Sequence, residues 1–235
     1  MNRYTKRIKR DKSLDNSDII ILTAGVGARV KSYEPRGLLK FKNTTLIEHQ
    51  IQTMNEVMPK AGTITVVGYD ANKVIKKIWG KSRIVENQIY EESNSGESLR
   101  IAINNSSANA ILFFHGDLYF EKDIFNNVDF SESFVLINTT FNEKEVGVNI
   151  IDKRVAIFSY GLETKWSQIA FLRNEELEIL RKLILKNDFK GKYLLTFELL
   201  NEVISLGGKF KPFMVNGNKV KELDSTKDIL NERFS

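Results

Sequence analysis

Unbroken apolar runs alternate with stretches of helical spacing along this chain. Residues 19–22 (IIIL) are apolar throughout and too short for most helices, so they predict a fully buried strand. Residues 63–67 (TITVV) and 110–114 (AILFF) repeat the pattern, as strands covered on both faces of a mainly parallel sheet do. Between the first two runs, apolar positions 46, 47, 51, 54 and 57 predict a helix over 46–57. Residues 71–79 predict a second, shorter helix and 82–85 a third strand. A helix is expected over 99–103, with Ser98 as its cap.

Further on, residues 134–138 and 146–151 predict strands, and 154–158 pairs with the latter as a hairpin through Asp152 and Lys153. Residues 166–171 form an apolar patch. Leu177, Leu180, Leu183 and Leu185 mark an amphipathic helix over 174–185, and a further helix over 193–206 ends at Gly207 and Gly208. A late strand over 210–215, an apolar stretch over 220–223 and a terminal helix over 225–234 complete the chain. Strand and helix alternate through the first half, so the expected fold class is doubly wound α/β. It would form one domain over residues 18–235, preceded by a polar arm over 1–17.

Composition narrows the chemistry. The 235 residues are 42% hydrophobic and 28% charged, as in ordinary globular domains. There is no cysteine and there are two histidines, His49 and His115, which excludes thiolate and multi-histidine metal sites. No run approaches the ~20 apolar residues of a membrane span, and the basic N-terminus lacks a signal-peptide core, so a cytoplasmic protein is expected. Neither histidine has a visible nucleophile partner, which leaves acyl transfer unsupported. The net charge of +5 favours phosphate-bearing partners. Part of it sits in Arg3, Lys6, Arg7, Lys9, Arg10 and Lys12, expected to be a disordered, solvated arm.

The stretch after the first strand carries the sharpest signal. Leu22-Thr23-Ala24-Gly25-Val26-Gly27-Ala28-Arg29 follows a buried strand with glycines and a cation. Such a turn brings backbone amides close to phosphate, and the arginine fork matches phosphate oxygens. Lys31, Arg36, Lys40 and Lys42 follow around Pro35, which suggests a triphosphate cradle. Neither standard loop fits: the dinucleotide pattern needs glycine at Val30, and the Walker pattern needs Gly-Lys-Ser/Thr five residues after its first glycine. Asp117 ends an all-apolar run and Asp224 lies near the C-terminus. Metal ligand and helix cap are both open for such an aspartate on spacing alone.

The first loop resembles L-A-A-G-x-G-x-R followed by P-K-x-L-L, the signature of nucleotidyltransferases with a Rossmann-like core. This group includes the sugar-1-phosphate, molybdopterin-guanine and phosphocholine enzymes. Thr23 stands for an alanine and Arg36 for the signature lysine. His115-Gly116-Asp117 is similar to the group's x-G-D, and Glu222-Leu223-Asp224-Ser225 to its E-I-D-T/S. Asn87, Tyr90, Asn94 and Ser98-Leu99 resemble the N-x-x-Y-x-x-x-N-x-x-x-S-L stretch of phosphocholine cytidylyltransferases.

The resemblance implies a three-layer α/β/α, GT-A-like fold with a mainly parallel mixed sheet. It implies transfer from an NTP, CTP favoured, to a phosphocholine-like acceptor or a sugar 1-phosphate. Arg29, Arg36 and Asp117 would be catalytic. Leu22, Ala24, Gly25, Gly27, Asn87, Tyr90, Asn94 and Ser98 would hold the nucleotide, and Asp117 and Asp224 a magnesium ion. The expected assembly is a monomer or homodimer, with nucleic acid reached only through the arm. Trp166 invites a cation–π role toward an acceptor's ammonium, although a lone tryptophan is more often core. Two rivals stand beside this reading: a glycosyltransferase using a nucleotide sugar, and a non-catalytic nucleotide- or RNA-binding protein working through the arm.

Overall fold

A computed structural model describes residues 14, 16–25, 35–41, 43–140, 143–185 and 189–223. The terminal helix expected over 225–234 lies outside them. The first run is β1, Ser17–Leu22, buried along its whole length. Two short strands, β2 (Lys40–Phe41) and β3 (Thr44–Thr45), lead into α1, Leu46–Val57, over the residues the apolar spacing marks. Then follow β4 (Gly62–Val67), α2 (Ala71–Ile78), β5 (Arg83–Glu86) and α3 (Ser95–Asn104). Next come β6 (Ala110–His115), β7 (Leu118–Phe120), β8 (Phe134–Asn138), β9 (Val146–Ile151) and β10 (Arg154–Tyr160). The remaining elements are β11 (Thr164–Arg173), α4 (Asn174–Leu185), α5 (Thr196–Ser205), β12 (Lys211–Met214) and β13 (Val220–Glu222).

The main sheet runs β10-β9-β11-β6-β1-β4-β5, with β8 on β11 and β12 on β8. Pairs among β6, β1, β4 and β5 are parallel, whereas β11 is antiparallel to β6, β8 and β9. The apolar runs are unbroken because each strand feeds two cores. Ile20, Leu22, Ile111 and Phe113 pack with α3, α4 and α5 on one face. Ile19, Ile21, Leu112 and Phe114 pack with α1 and α2 on the other. Helices on both faces make the fold a three-layer α/β/α sandwich. From β1 the chain passes to β4 and β5 on one side, then to β6 on the other. The order therefore reverses between β1 and β6, and ligands bind such sheets outside the carboxyl ends at that crevice.

Four expectations need correction. The patch at 166–171 lies in β11, a ten-residue strand central to the sheet. A bulge hides its period-2 pattern: the register against β8 shifts between Trp166 and Ala170, and Gln168 has φ 57°. Ser98 does not cap a helix. Helix α3 begins at Ser95 with Asn94 as its N-cap, and its polar first turn shows no apolar period because it faces a cleft. Helix α5 begins at Thr196, where the Glu198 carboxylate accepts the N–H of Leu195 at 2.7 Å. Leu185, expected on the apolar face of α4, is 69% exposed. The expected hairpin at Asp152 and Lys153 is present, both residues having positive φ as a primed turn requires.

The last residues of the expected arm take part in the core. Ser17 is buried in β1, and Leu14 packs against the core on the α1 side. No helix among the described residues is long and apolar enough to cross a membrane.

Candidate nucleotide and acceptor site

Two adjoining hollows open at the β1/β6 crevice. One, of about 400 Å³, runs from the loop after β1 (Leu22 to Gly25) across Arg36, His115 and Asp117 to Tyr90, Asn94 and Ser98. The other, of about 280 Å³, shares Arg36, Ser95, His115 and Asp117 and extends to Glu145, Tyr160, Lys165, Gln168, Phe197 and Glu222. Arg36 and Asp117 thus stand at their junction.

The β1 loop is anchored before it reaches the cleft. Thr23 donates both its N–H (2.9 Å) and its hydroxyl (2.7 Å) to Val66 O. An alanine there would lose the second bond, so the departure from the signature adds an anchor. Ala24 O accepts the Tyr69 N–H at 3.0 Å. Gly25 is exposed, with open space around its Cα. Gly27 and Arg29 lie outside the described residues.

Glycine at 116 has a local cause. Its N–H donates to Leu22 O at 2.8 Å, stitching the end of β6 to the end of β1. A Cβ there would stand 2.4 Å from Thr23 Cγ2 and 3.1 Å from Leu22 O. Helix α1 holds the turn from the other side. Gln50, fully buried, donates from Nε2 to Leu118 O (2.7 Å) and His115 O (3.3 Å), and His49 Nε2 meets Phe120 O at 2.9 Å. His49, stacked on Tyr119, is therefore structural. Gln50 escaped sequence reasoning; its one signal is an amide in an otherwise apolar stripe.

Asp117 receives the Arg36 guanidinium on Oδ2. Arg36 Nη1 also lies 3.6 Å from Glu222 Oε1. The side chains of Asp117, Arg36 and Glu222 are 13%, 15% and 22% exposed, so the cluster is only partly screened by water. Gln168 Nε2 donates to Glu222 Oε2 at 2.9 Å. The left-handed backbone at the β11 bulge is thus part of the site, and neither Gln168 nor Glu222 was assigned a role from sequence. Strand β13 pairs antiparallel with β7, and the Leu223 N–H donates to Asp117 O at 2.8 Å. Asp224 lies outside the described residues, one position beyond that bond.

His115 is mostly enclosed, with Nε2 3.0 Å from Thr196 Oγ1 and its ring edge-on to Trp166. Burial pushes its imidazole below the ordinary value. Asp117 opposes that shift and Arg36 adds to it. Asn87, expected to read the nucleotide, is engaged internally. Its amide donates to Ser93 Oγ (3.0 Å) and Ser98 Oγ (3.1 Å), and its carbonyl accepts the Ile89 N–H (3.2 Å). Asn87 and Ser98 therefore brace the loop, while Tyr90, Ser93 and Asn94 line the open side. Trp166 is 2% exposed and packs edge-on to Phe113 and Phe158, so Tyr160, 50% exposed and edge-on to Phe197, offers the aromatic surface.

Among the described residues no group of three or more His, Cys, Asp or Glu side chains converges as a metal cage. The donor chemistry nonetheless suits a hard cation. Asp117 Oδ1 is buried and accepts no hydrogen bond from a described residue, and the neighbouring donor is the carboxylate of Glu222.

Residues 19–128 match the family model described as the MobA-like NTP transferase domain. Among curated relatives, the bifunctional protein GlmU of Anaplasma marginale is 30% identical over 105 residues, covering 43% of this chain and 24% of that protein. GlmU of Streptococcus gordonii is 26% identical over 166 residues, 69% of this chain and 32% of the relative. The matching stretch thus spans 24% to 32% of the length of these relatives. The solved CTP:phosphocholine cytidylyltransferase of Streptococcus pneumoniae superposes with a TM-score of 0.70 at 22% identity, covering 91% of this chain and 96% of that one. A putative glucose-1-phosphate thymidylyltransferase from Bacillus anthracis gives 0.72 at 14% identity, with 93% and 97% covered. At these identities the structural likeness is one of fold.

Proposed function

We propose, from the match of residues 19–128 to the MobA-like NTP transferase domain, that this chain transfers a nucleotidyl group from an NTP to a small phosphorylated acceptor. An acceptor phosphate oxygen attacks the α-phosphorus, the bond to the β-phosphate oxygen breaks, and pyrophosphate leaves. The observation that carries this reading is the pair of hollows meeting at Arg36 and Asp117: one opens from the β1 loop and the other from the β11 bulge. Two substrates brought to one junction are what a displacement between two phosphates needs.

An ionised phosphate is already nucleophilic, so no side-chain base is required. Catalysis then reduces to orientation and charge neutralisation. The β1 loop with Gly25 and Arg29 would cradle the β- and γ-phosphates. Arg36 would neutralise the reacting phosphates in place of the family's lysine, keeping the charge but presenting a planar fork. Asp117 and Asp224 would hold a magnesium ion, which would supply positive charge to the reacting phosphates. Tyr90 and Asn94 would contact the nucleoside, on a loop that Asn87 and Ser98 keep in place.

CTP is the favoured nucleotide because the stretch from Asn87 to Ser98 resembles that of cytidylyltransferases. The aromatic wall of Tyr160 and Phe197 in the second hollow supports an acceptor with a cationic head, such as phosphocholine, over a polyhydroxylated sugar. Isothermal titration with each of the four NTPs, followed by phosphocholine and glucose 1-phosphate in turn, tests the choice. Tightest binding of CTP and phosphocholine is expected, and preference for another nucleotide or for the sugar phosphate overturns this part.

A further inference from the structure

We propose that Arg36 is an internal counter-cation that closes the carboxylates of Asp117 and Glu222 to divalent metal until a nucleotide's phosphates draw it away. The guanidinium holds Asp117 Oδ2 through Nη1 and lies 3.6 Å from Glu222 Oε1, in a cluster whose side chains are all less than a quarter exposed. Both carboxylates are fixed from behind. Gln168 Nε2 holds the second oxygen of Glu222 at 2.9 Å, and the Leu223 N–H holds the main chain of Asp117 at 2.8 Å. Arg36 sits on a three-residue helical turn after Pro35. Its long unbranched side chain gives the guanidinium the reach to meet a nucleotide's phosphates as well as the carboxylates.

A dication and a guanidinium cannot share this place. They compete for the same carboxylate lone pairs, and at such close range in a partly desolvated site two like charges repel strongly. Removing Arg36 without a replacement is also costly, because it leaves carboxylates uncompensated. Triphosphate oxygens resolve the conflict: they offer Arg36 a bidentate partner and bring charge that a metal can bridge. Asp117 Oδ1, buried and with no donor from a described residue, is the oxygen that the Arg36 clamp leaves unused. Nucleotide and metal should therefore bind with positive, reciprocal coupling. The lock itself is a property of the nucleotide-free chain, and only its release rests on the nucleotidyltransferase reading.

Binding of Mn2+ alone, followed by electron paramagnetic resonance on the nucleotide-free protein, tests the lock in the parent, Arg36→Gln and Arg36→Lys. Arg36→Gln should bind Mn2+ about tenfold or more tightly than the parent, within the usual range of coupled sites, with Arg36→Lys between them. Circular dichroism melts establish that each variant folds, and Arg36→Lys carries the test if Arg36→Gln does not. A non-hydrolysable NTP analogue should tighten Mn2+ binding in the parent much more than in Arg36→Gln. Equal Mn2+ affinity, or none, in the nucleotide-free parent and variants overturns the lock. Failure to bind any NTP would instead overturn the nucleotidyltransferase reading, which the nucleotide-free comparison does not touch.

Discussion

Asp117 and Arg36 concentrate the consequences that single residues carry. Replacing Asp117 by asparagine keeps the shape but removes the charge facing Arg36. Turnover should fall by about 10²–10³-fold, the scale on which one electrostatic contact to a reacting group acts, with the fold retained by circular dichroism. Arg36→Lys should keep part of the rate and Arg36→Ala should lose on the order of 10²-fold; equal turnover in both and in the parent would remove Arg36 from catalysis. Both residues were legible in the sequence, because each follows a pattern with a physical motive: a carboxylate after an apolar run and a cation after a proline break. Glu222, Gln168 and Gln50 were not assigned. Their partners are 54 to 68 positions away or reached through a strained bulge, and no local spacing encodes such contacts.

Elements whose apolar period is uninterrupted were legible almost to the residue, α1, α4, β8 and β9 among them. Strand β11 was not, because its bulge puts two buried residues, Trp166 and Ser167, side by side and breaks the alternation. The first turn of α3 was missed because it belongs to the cleft rather than to the core. Two predictions belong to this scale. Gly116→Ala would push a methyl group into Thr23, whose hydroxyl is tied to Val66 O, and should cost about 1–3 kcal/mol in urea unfolding. Unchanged stability would mean that β1 and β6 do not meet this closely. Helix α1 begins with a capping box in which Glu48 accepts from Thr45 and pairs with Lys81 at 2.9 Å. These contacts lower the Glu48 carboxyl from 4.5 to about 2, led by Lys81. A depressed folded value stabilises above the unfolded pKa, and that contribution is lost as pH falls from 4.5 towards 2. Glu48→Gln should therefore lower stability by about 1 kcal/mol at pH 7, the pair being partly exposed. The gap between variant and parent should shrink across the acid range, and a gap that persists at pH 2 would contradict the assignment.

At the scale of the whole molecule, the root of the arm and the cleft lie at opposite ends of one strand. The arm joins β1 at Ser17, whereas the cleft lies beyond Leu22 at the other end of that six-residue strand, about 20 Å away at the usual rise per residue. Removing residues 2–12 spares Leu14 and Ser17, which pack in the core. Turnover of the truncated chain should stay within about twofold of the parent. A collapse of turnover would place the arm in the reaction. The fold class was legible because alternating strands and helices with doubly buried runs allow few architectures. The meeting of two hollows at one ion pair became visible only in three dimensions. The most direct test of the central claim is pyrophosphate release, measured with each of the four NTPs and Mg2+ against a panel of phosphorylated small molecules. Acceptor-dependent release with one nucleotide, lost in Asp117→Asn, is the predicted result. Absence of release with every pair, together with failure to bind any NTP, would contradict the assignment of this chain as a nucleotidyltransferase.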